Sequence, residues 1–386
     1  LKEKYKMEKP LKIRMHIISP VHIGCGDAYE PTSFVIDEKS GKLIEFDPLD
    51  FISSLSPHDK EQFASICMEG TLSSIIKIYR FISDRKIQII SKGRQIEIAA
   101  DLKEHYNKVK KLPLQDEQKI EQELNKFAIS RTAYNPHTNL PYIPGTSVKG
   151  ALRTAYLSKL AKDKGIKEWW TTQLAKKVKD KNQAKEFEKY LLDGGSFDTD
   201  PFRLVKVSDF LPLQNVKTKI MYAVNRKKKK SKFEARGPFQ IVETIQEGAV
   251  FEGIINIQKP PASDCIKKPI KAEELLHSVN AFYVPLVNEE NKVTYEIGAG
   301  NVVCKRIKEG FKLNHSSVLI RLGRHSGAEA VTIEGNRHIK IMQGKGQSPR
   351  FLPQATTLWL ASEKSKPTAG SSLVPFGWAV LEVLPA

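Results

Sequence analysis

Cysteine is scarce. Four residues, Cys25, Cys67, Cys265 and Cys304, lie scattered without a C-x-x-C pair. That spacing speaks against a disulfide framework and a cysteine-rich zinc site, and makes a reducing cytoplasm the default. The nine histidines form no H-E-x-x-H and no paired metal spacing, so neither metal nor cofactor is expected. No stretch approaches the ~18 uninterrupted apolar residues of a membrane span. The opening Leu1-Lys-Glu-Lys-Tyr-Lys6 lacks an apolar run and a small-residue cleavage site, so no secretory signal is expected there. With Leu at position 1, the start is expected upstream or at Met7. There is no P-loop, Rossmann fingerprint or Ser-His-Asp order. Acid is also in short supply: 44 Asp and Glu face 62 Lys and Arg in 386 residues, a net charge of +18. This excess excludes an acidic solvating protein and favours a polyanionic partner, nucleic acid before an anionic membrane. Hydrophobic residues at 40% suffice for packed cores, in two or three domains at this length.

Several elements are legible. Leu11, Ile13, Met15 and Ile17 alternate with Lys12, Arg14 and His16, the period of a strand. Its basic face reads either as solvated or as a surface that meets RNA. Asp47-Pro48 and Ser56-Pro57 each read as a helix cap followed by proline at the first helical position. A hairpin is expected over 87–99 and charged helices over 101–128. The mainly helical stretch, about 47–130, reads as an insertion into a sheet domain. Residues 159–189 hold ten Lys against five acidic residues, read as a solvated helix face. Strands follow over 203–210, 217–224, 239–246 and 249–258, then a helix over 272–282. Further strands are expected over 318–322, 338–342, 357–361 and 378–383. This order, with antiparallel hairpins, argues for an α+β fold and against a doubly wound parallel one. The expected division is 1–200 and 201–386.

Three constellations carry chemistry. In Ile143-Pro-Gly-Thr-Ser-Val-Lys-Gly-Ala-Leu-Arg153, Pro144-Gly145 ends a strand and Thr146 or Ser147 can cap a helix. Lys149 and Arg153, four apart, share one face, and Gly150 lets another backbone approach. Helix-start amides, two hydroxyls and two cations together suit a phosphate. In Arg321-Leu-Gly-Arg-His-Ser-Gly-Ala-Glu329, Ser326 and Glu329 read as a capping box for a short helix ending near Gly335. Arg321, Arg324 and His325 stand just ahead of it. The third constellation is glycine-rich: Gly344-Lys345-Gly346, and Gly370-Ser371-Ser372 leading to Pro375-Phe-Gly377. The basic run Arg226-Lys227-Lys228-Lys-Lys-Ser-Lys232 reads as a long hairpin tip that contacts phosphates by charge alone or is a solvated loop. Candidates for catalysis are weaker: His22, Asp27 and Asp37 around the first turn, and His325.

Taken in order, these motifs resemble the RAMP superfamily of CRISPR-associated proteins. The resemblance rests on Pro20-Val-His-Ile-Gly24, the run Ile143 to Arg153, Val207-Ser-Asp-Phe210, and a Gly-rich loop before a final strand. Within that superfamily, Arg324-His-Ser-Gly-Ala-Glu329 leading to Thr332-Ile-Glu-Gly335 is similar to the fifth subunit of type III-A (Csm) effector complexes. The resemblance implies two ferredoxin-like, RRM-like RAMP domains, the first with the helical insertion. It implies a non-catalytic subunit that caps the complex near the 3′ end of the CRISPR RNA and assists its maturation and antiviral RNA targeting. The alternative it leaves is a RAMP-type endoribonuclease processing CRISPR RNA. Implied partners are the CRISPR RNA, the guide–target duplex, the backbone RAMP subunit, the small subunit and crRNA-trimming nucleases, with no membrane. By motif matching, Gly145, Thr146, Ser147, Lys149 and Arg153 would face RNA. So would Arg321, Arg324, His325 and the Gly-rich loop residues Lys345, Gly370, Ser371 and Ser372 from the other domain. Arg226, Lys227 and Lys228 join them by charge. Asp37 lies roughly where the backbone subunit's cleavage aspartate would fall, but Phe34-Val-Ile-Asp-Glu38 departs from that pattern.

Overall fold

The computed structural model describes residues 6–7, 9–86, 92–177, 179, 182–194, 198–229, 239–260, 265–266, 268–343, 346–368 and 371–385. The chain opens with β1 (Lys6–Met7), β2 (Leu11–Ile17), β3 (Gly24–Ala28), β4 (Phe34–Asp37) and β5 (Lys42–Glu45). Helices α1 (Pro48–Ser54), α2 (Pro57–Met68) and α3 (Leu72–Asp84) follow. Asp47, Ser56 and Thr71 accept hydrogen bonds from their first-turn amides, and Pro48 and Pro57 occupy the positions where a missing N–H costs nothing. Next come β6 (Arg94–Ile98), α4 (Leu102–Lys110), α5 (Glu117–Phe127), β7 (Ile129–Thr132), α6 (Gly145–Asp163), α7 (Gln173–Lys176) and α8 (Gln183–Leu191). The remaining strands and helices are β8 (Val205–Val207), β9 (Leu211–Pro212), β10 (Thr218–Lys227), β11 (Gln240–Ile245), β12 (Val250–Lys259), α9 (Ala272–Glu296), α10 (Val302–Gly310), β13 (Ser317–Arg321), β14 (Ile339–Ile341), β15 (Arg350–Leu352), β16 (Thr357–Ser362), β17 (Leu373–Pro375) and β18 (Trp378–Val383).

Two sheets organise the molecule. In the first, β2 lies between β12 and β18, β13 pairs with β18, and β1, β8 and β9 line the other edge of β12. All of these pairings are antiparallel. Ile13, Met15 and Ile17 of β2 turn one way and pack with Val148 and Leu152 of α6 and Val279 and Tyr283 of α9. On the opposite face Arg14 pairs with Glu252 at 2.8 Å and His16 meets Glu382 at 2.9 Å. Two members of the basic stripe of β2, Arg14 and His16, thus have carboxylate partners on the neighbouring strands, while Lys12 is exposed.

The second sheet runs β3-β7-β11-β10-β6-β5-β4, with β16 and β17 continuing from β10. Helices α1 to α5 pack on it through Phe51, Phe63, Tyr79, Tyr106 and Phe127. Its other face holds a smaller core of Met221, Ala223, Val242, Ala361 and Phe376. β10 is buried on both faces, which its continuous apolar run permits.

Four differences from the sequence expectation have physical reasons. Both sheets are built across residue 200: β2 pairs with β12 and β18, β7 with β11, and β6 with β10. The mainly helical stretch 47–130 does not stand clear of the sheet it interrupts: β6, from the expected hairpin, and β7 at its end pair with β10 and β11. Residues 203–210 do not form one strand: a 3-10 turn spans Pro201–Leu204, β8 is short, and Phe210 bridges to Ile143. Helix α9 continues past 282 and through Pro285, with Val287 and Thr294 buried beyond the proline. The hairpin segment 87–91 lies outside the described residues.

Candidate nucleic-acid interface

Where the two sheets meet, three chain segments cross backbone to backbone. Arg324 N–H donates to the His22 carbonyl at 3.0 Å, Leu322 N–H to Gly377 at 2.8 Å, and Gly377 N–H to Pro20 at 2.9 Å. A Cβ at Gly323, where φ is +91°, would lie 2.5 Å from the His22 carbonyl oxygen. Only glycine fits that crossing.

Helix α6 starts beside this junction. Neither Thr146 nor Ser147 caps it: the cap position is Pro144, without a side-chain bond. Asp209 takes that role from outside, accepting from Gly145 N–H at 2.8 Å. Ile143 and Phe210 exchange backbone hydrogen bonds of 3.0 and 2.9 Å. A Cβ on Gly145 would meet the Val207 and Ser208 carbonyl oxygens at 2.4 and 2.5 Å. The runs 143–153 and 207–210 are thus two halves of one joint, and Gly145 serves close packing there.

The hydroxyls left over by this arrangement point to a shared cleft of about 530 Å³. Thr146, Ser147, Gly150 and Thr154 form one wall, Gly323, Arg324 and Ser326 another, and Gly24 and Gly26 the rim. The two motif turns expected to bind phosphate therefore face each other. Arg324 is exposed and has no ion pair among the described residues. Thr146 and Gly150 are exposed as well. Rim strand β3 is exposed along its whole length and bulges between Gly24 and Ala28.

Other expected site residues have different occupations. Arg321 is 8% exposed and lies on the cleft floor. Its guanidinium pairs with Glu290 at 2.6 Å, donates to the Phe376 carbonyl, and lies over Trp378. Trp378 in turn donates to the same Glu290 at 2.7 Å. Lys149 and Arg153 do share a helix face, but it is not the cleft face. Arg153 is held by Glu188 and Asp200, each at 2.8 Å, so its charge is already neutralised. Lys149 is half-buried; burial first, then Lys206, pulls its amine below the ordinary lysine value. No backbone approaches Gly150: a Cβ there would meet nothing within 4 Å. The expected capping box does not form, because Ser326 donates to the Gly323 carbonyl and Glu329 is taken by Lys228 Nζ and Ala355 N–H. The short helix is a 3-10 turn, Ala328–Val331.

The basic run also changes character. Arg226 and Lys227 belong to β10, opposite Leu358 and Thr357, rather than to a loop. Arg226 donates to the Pro367 carbonyl, and Lys228 pairs with Glu329 at 2.5 Å. Residues 230–238, with Lys232, lie outside the described residues. Ser371 and Thr368 close a turn on each other, and Ser372 is exposed before β17. Gly344, Lys345 and Gly370 lie outside the described residues.

The catalytic candidates do not converge. Asp37 ends β4, at the opposite edge of the second sheet from β3. Burial opposes its ionisation, but Ser40 and Lys86 outweigh that and hold the carboxyl well below the usual range. It anchors a turn. Asp27 is exposed on β3. His22 and His325 do meet, with ring centroids 5.8 Å apart, yet they are only 1% and 4% exposed. His22 Nδ1 bonds the Glu243 carbonyl and His325 Nε2 bonds Gln240. Burial lowers both pKa values, with the Arg324 charge adding to it, and takes His325 to about 3. Both rings are neutral at physiological pH. No cluster of three or more His, Cys, Asp or Glu suited to a metal occurs among the described residues.

The family model for the RAMP superfamily matches residues 14–262. The chain belongs to the RAMP superfamily. This RAMP protein is 25% identical over 224 residues, 58% of its length, to a Methanocaldococcus jannaschii protein described as CRISPR system Cms protein Csm5. The chain spans about half the length of that relative, 48%. Its fold is similar to a chain of a cryo-EM structure of a Csm–crRNA–target RNA ternary complex from a type III-A CRISPR-Cas system (TM-score 0.64, 17% identity). It is also similar to the crystal structure of T. onnurineus Csm5 (TM-score 0.53, 16% identity). Both matches cover 96% of this chain and 100% of the other. The α+β fold is accordingly that of RAMP proteins with a helical insertion. Among the described residues no helix is long and apolar enough to cross a membrane.

Sequence reasoning missed several participants in this RAMP site. Gly24 and Gly26 rim the cleft, and their Gly-x-Gly spacing was visible in the first loop. Thr154 lies about two and a half turns along α6 from the helix start, on the same wall. Asp209 and Glu290 act only through partners distant in sequence and gave no local signal.

Proposed function

We propose that this chain is a guide-RNA-binding subunit of a type III-A Csm complex. It caps the assembly near the 3′ end of the CRISPR RNA and does not cleave RNA itself. The observation that carries this reading is the cleft in which the start of α6 and the Arg324 turn face each other across Gly24 and Gly26. Hydroxyls, an uncompensated guanidinium and close glycine backbone are what a sugar-phosphate chain requires, with no reading of base identity. A subunit that serves many guides needs that independence of sequence. The net charge of +18 adds long-range attraction. The backbone RAMP subunit, the small subunit, the guide–target duplex and trimming nucleases are the partners this role implies, in the cytoplasm.

Arg324→Ala should weaken CRISPR RNA binding and reduce the slope of log affinity against log salt by about 0.7, one phosphate contact. Thr146→Ala with Ser147→Ala should weaken binding with little change in slope. Arg153→Met, on the far face, should leave the slope unaltered. Filter binding across a salt series measures all three. An Arg324→Ala slope equal to that of the unaltered protein would refute the reading.

An endoribonuclease reading draws on one specific observation, the paired imidazoles with unpartnered His22 Nε2 and His325 Nδ1. Their burial separates them from any ribose hydroxyl in the cleft. Repeat RNA incubated with the protein without metal should remain intact.

A further inference from the structure

Strands β14 and β15 form a two-stranded ribbon apart from both main sheets. Their register puts Lys340 directly opposite Phe351, so these two side chains leave the same face. His338, two residues before Lys340, shares that face. Three rings stack there. Trp170 lies on His338 with centroids 4.6 Å apart and planes 12° from parallel, and His338 lies on Phe351 at 4.2 Å and 24°. The stack ends at Phe351, which is 49% exposed.

The base of the ribbon is fixed. Glu168 N–H donates to the Gly335 carbonyl, Trp169 N–H to Asn336 Oδ1, and Asn336 Nδ2 to the Ile166 carbonyl. Glu334 N–H donates to Ser158 Oγ of α6. The rings are held in place before any ligand arrives, which lowers the ordering cost of binding.

Charge indicates what completes the stack. From Gly335 to Ser362 the sequence has no acidic residue, while it carries Arg337, Lys340, Lys345 and Arg350. Lys340 and Arg350 are exposed and have no ion pair among the described residues. A planar, open-ended ring ladder beside uncompensated cations matches an unpaired nucleotide: a base on the ring and a phosphate at the amine.

We propose that Phe351 is a stacking platform for one unpaired RNA base, with Lys340 contacting an adjacent phosphate. This site is separate from the α6 cleft but rests on the RNA-binding reading above. The test uses the full chain and two labelled single-stranded probes, an oligoadenylate and the same backbone with abasic sites. Phe351→Ala should weaken oligoadenylate binding roughly 5- to 100-fold, with an unchanged salt slope and no effect on the abasic strand. Phe351→Trp should restore binding. Lys340→Ala should lower the slope by about 0.7 for both probes. If Phe351→Ala binds both probes as the unaltered protein does while Arg324→Ala weakens them, the platform is refuted and the cleft reading stands. If the unaltered protein binds neither probe, both fall. If Phe351→Ala instead breaks association with a neighbouring protein subunit and leaves RNA affinity intact, the platform is likewise refuted.

Discussion

His325 shows what burial does to a side chain the sequence offers as chemistry. Its imidazole is enclosed by His22, Trp359 and Phe376 and bonded to Gln240. In the folded chain it takes a proton only near pH 3, against an ordinary value of 6.5. The unfolded chain therefore holds more protons between these values, and stability must rise with pH across that window and be lost as pH falls. The slope for this one group reaches up to about 1.4 kcal/mol per pH unit. Burial lowers His22 and His105 in the same direction and steepens it. Urea unfolding between pH 6.5 and pH 5 measures the effect. His325→Leu should flatten the dependence; an unchanged slope would contradict this account of the junction.

Elements meet through backbone contacts that tolerate no side chain. At the joint between α6 and residues 207–209, Gly145→Ala places a methyl against two carbonyl oxygens and should cost about 1–3 kcal/mol. Gly150→Ala, one and a half turns along the same helix, meets open space and should stabilise by about 0.5–1 kcal/mol. Denaturant midpoints of the two variants should move in opposite directions, and movement in the same direction would contradict the joint. The two glycines illustrate what was legible. The caps at Asp47 and Ser56 could be read directly because both partners lie within one turn. The strand at 11–17 was readable from its period. The start of α6 was readable too, but its cap, Asp209, is 64 residues away. The same limit explains Arg153, whose spacing from Lys149 marked a cationic face but could not disclose Glu188 and Asp200. Of the candidate site, Thr146, Ser147 and Arg324 were named from the sequence, but that their two turns line one cleft, and that Arg153, Arg321 and His325 are engaged elsewhere, depends on partners distant in the chain.

At the scale of the whole molecule, the interleaving of the sheets matters most. The first and last long strands, β2 and β18, are neighbours, and β12 joins them from mid-chain. Each sheet thus needs both sides of residue 200, and each core needs its sheet. Expressed separately, 1–200 and 201–386 should each lack a cooperative unfolding transition by circular dichroism, because each exposes unpaired strand edges and half a core. A cooperative transition in either fragment alone would contradict this description. The interleaving also explains the position of the cleft. Its walls come from 23–26, 146–154 and 321–326, brought together only when both sheets are complete.

The central claim is that this cleft holds the guide backbone. Ultraviolet crosslinking of the full chain to CRISPR RNA, followed by mass spectrometry of the attached peptides, tests it most directly. The account predicts crosslinked peptides spanning 145–154 and 322–326 in the same sample. Crosslinks confined to other surfaces, with both of these peptides recovered unmodified, would contradict it.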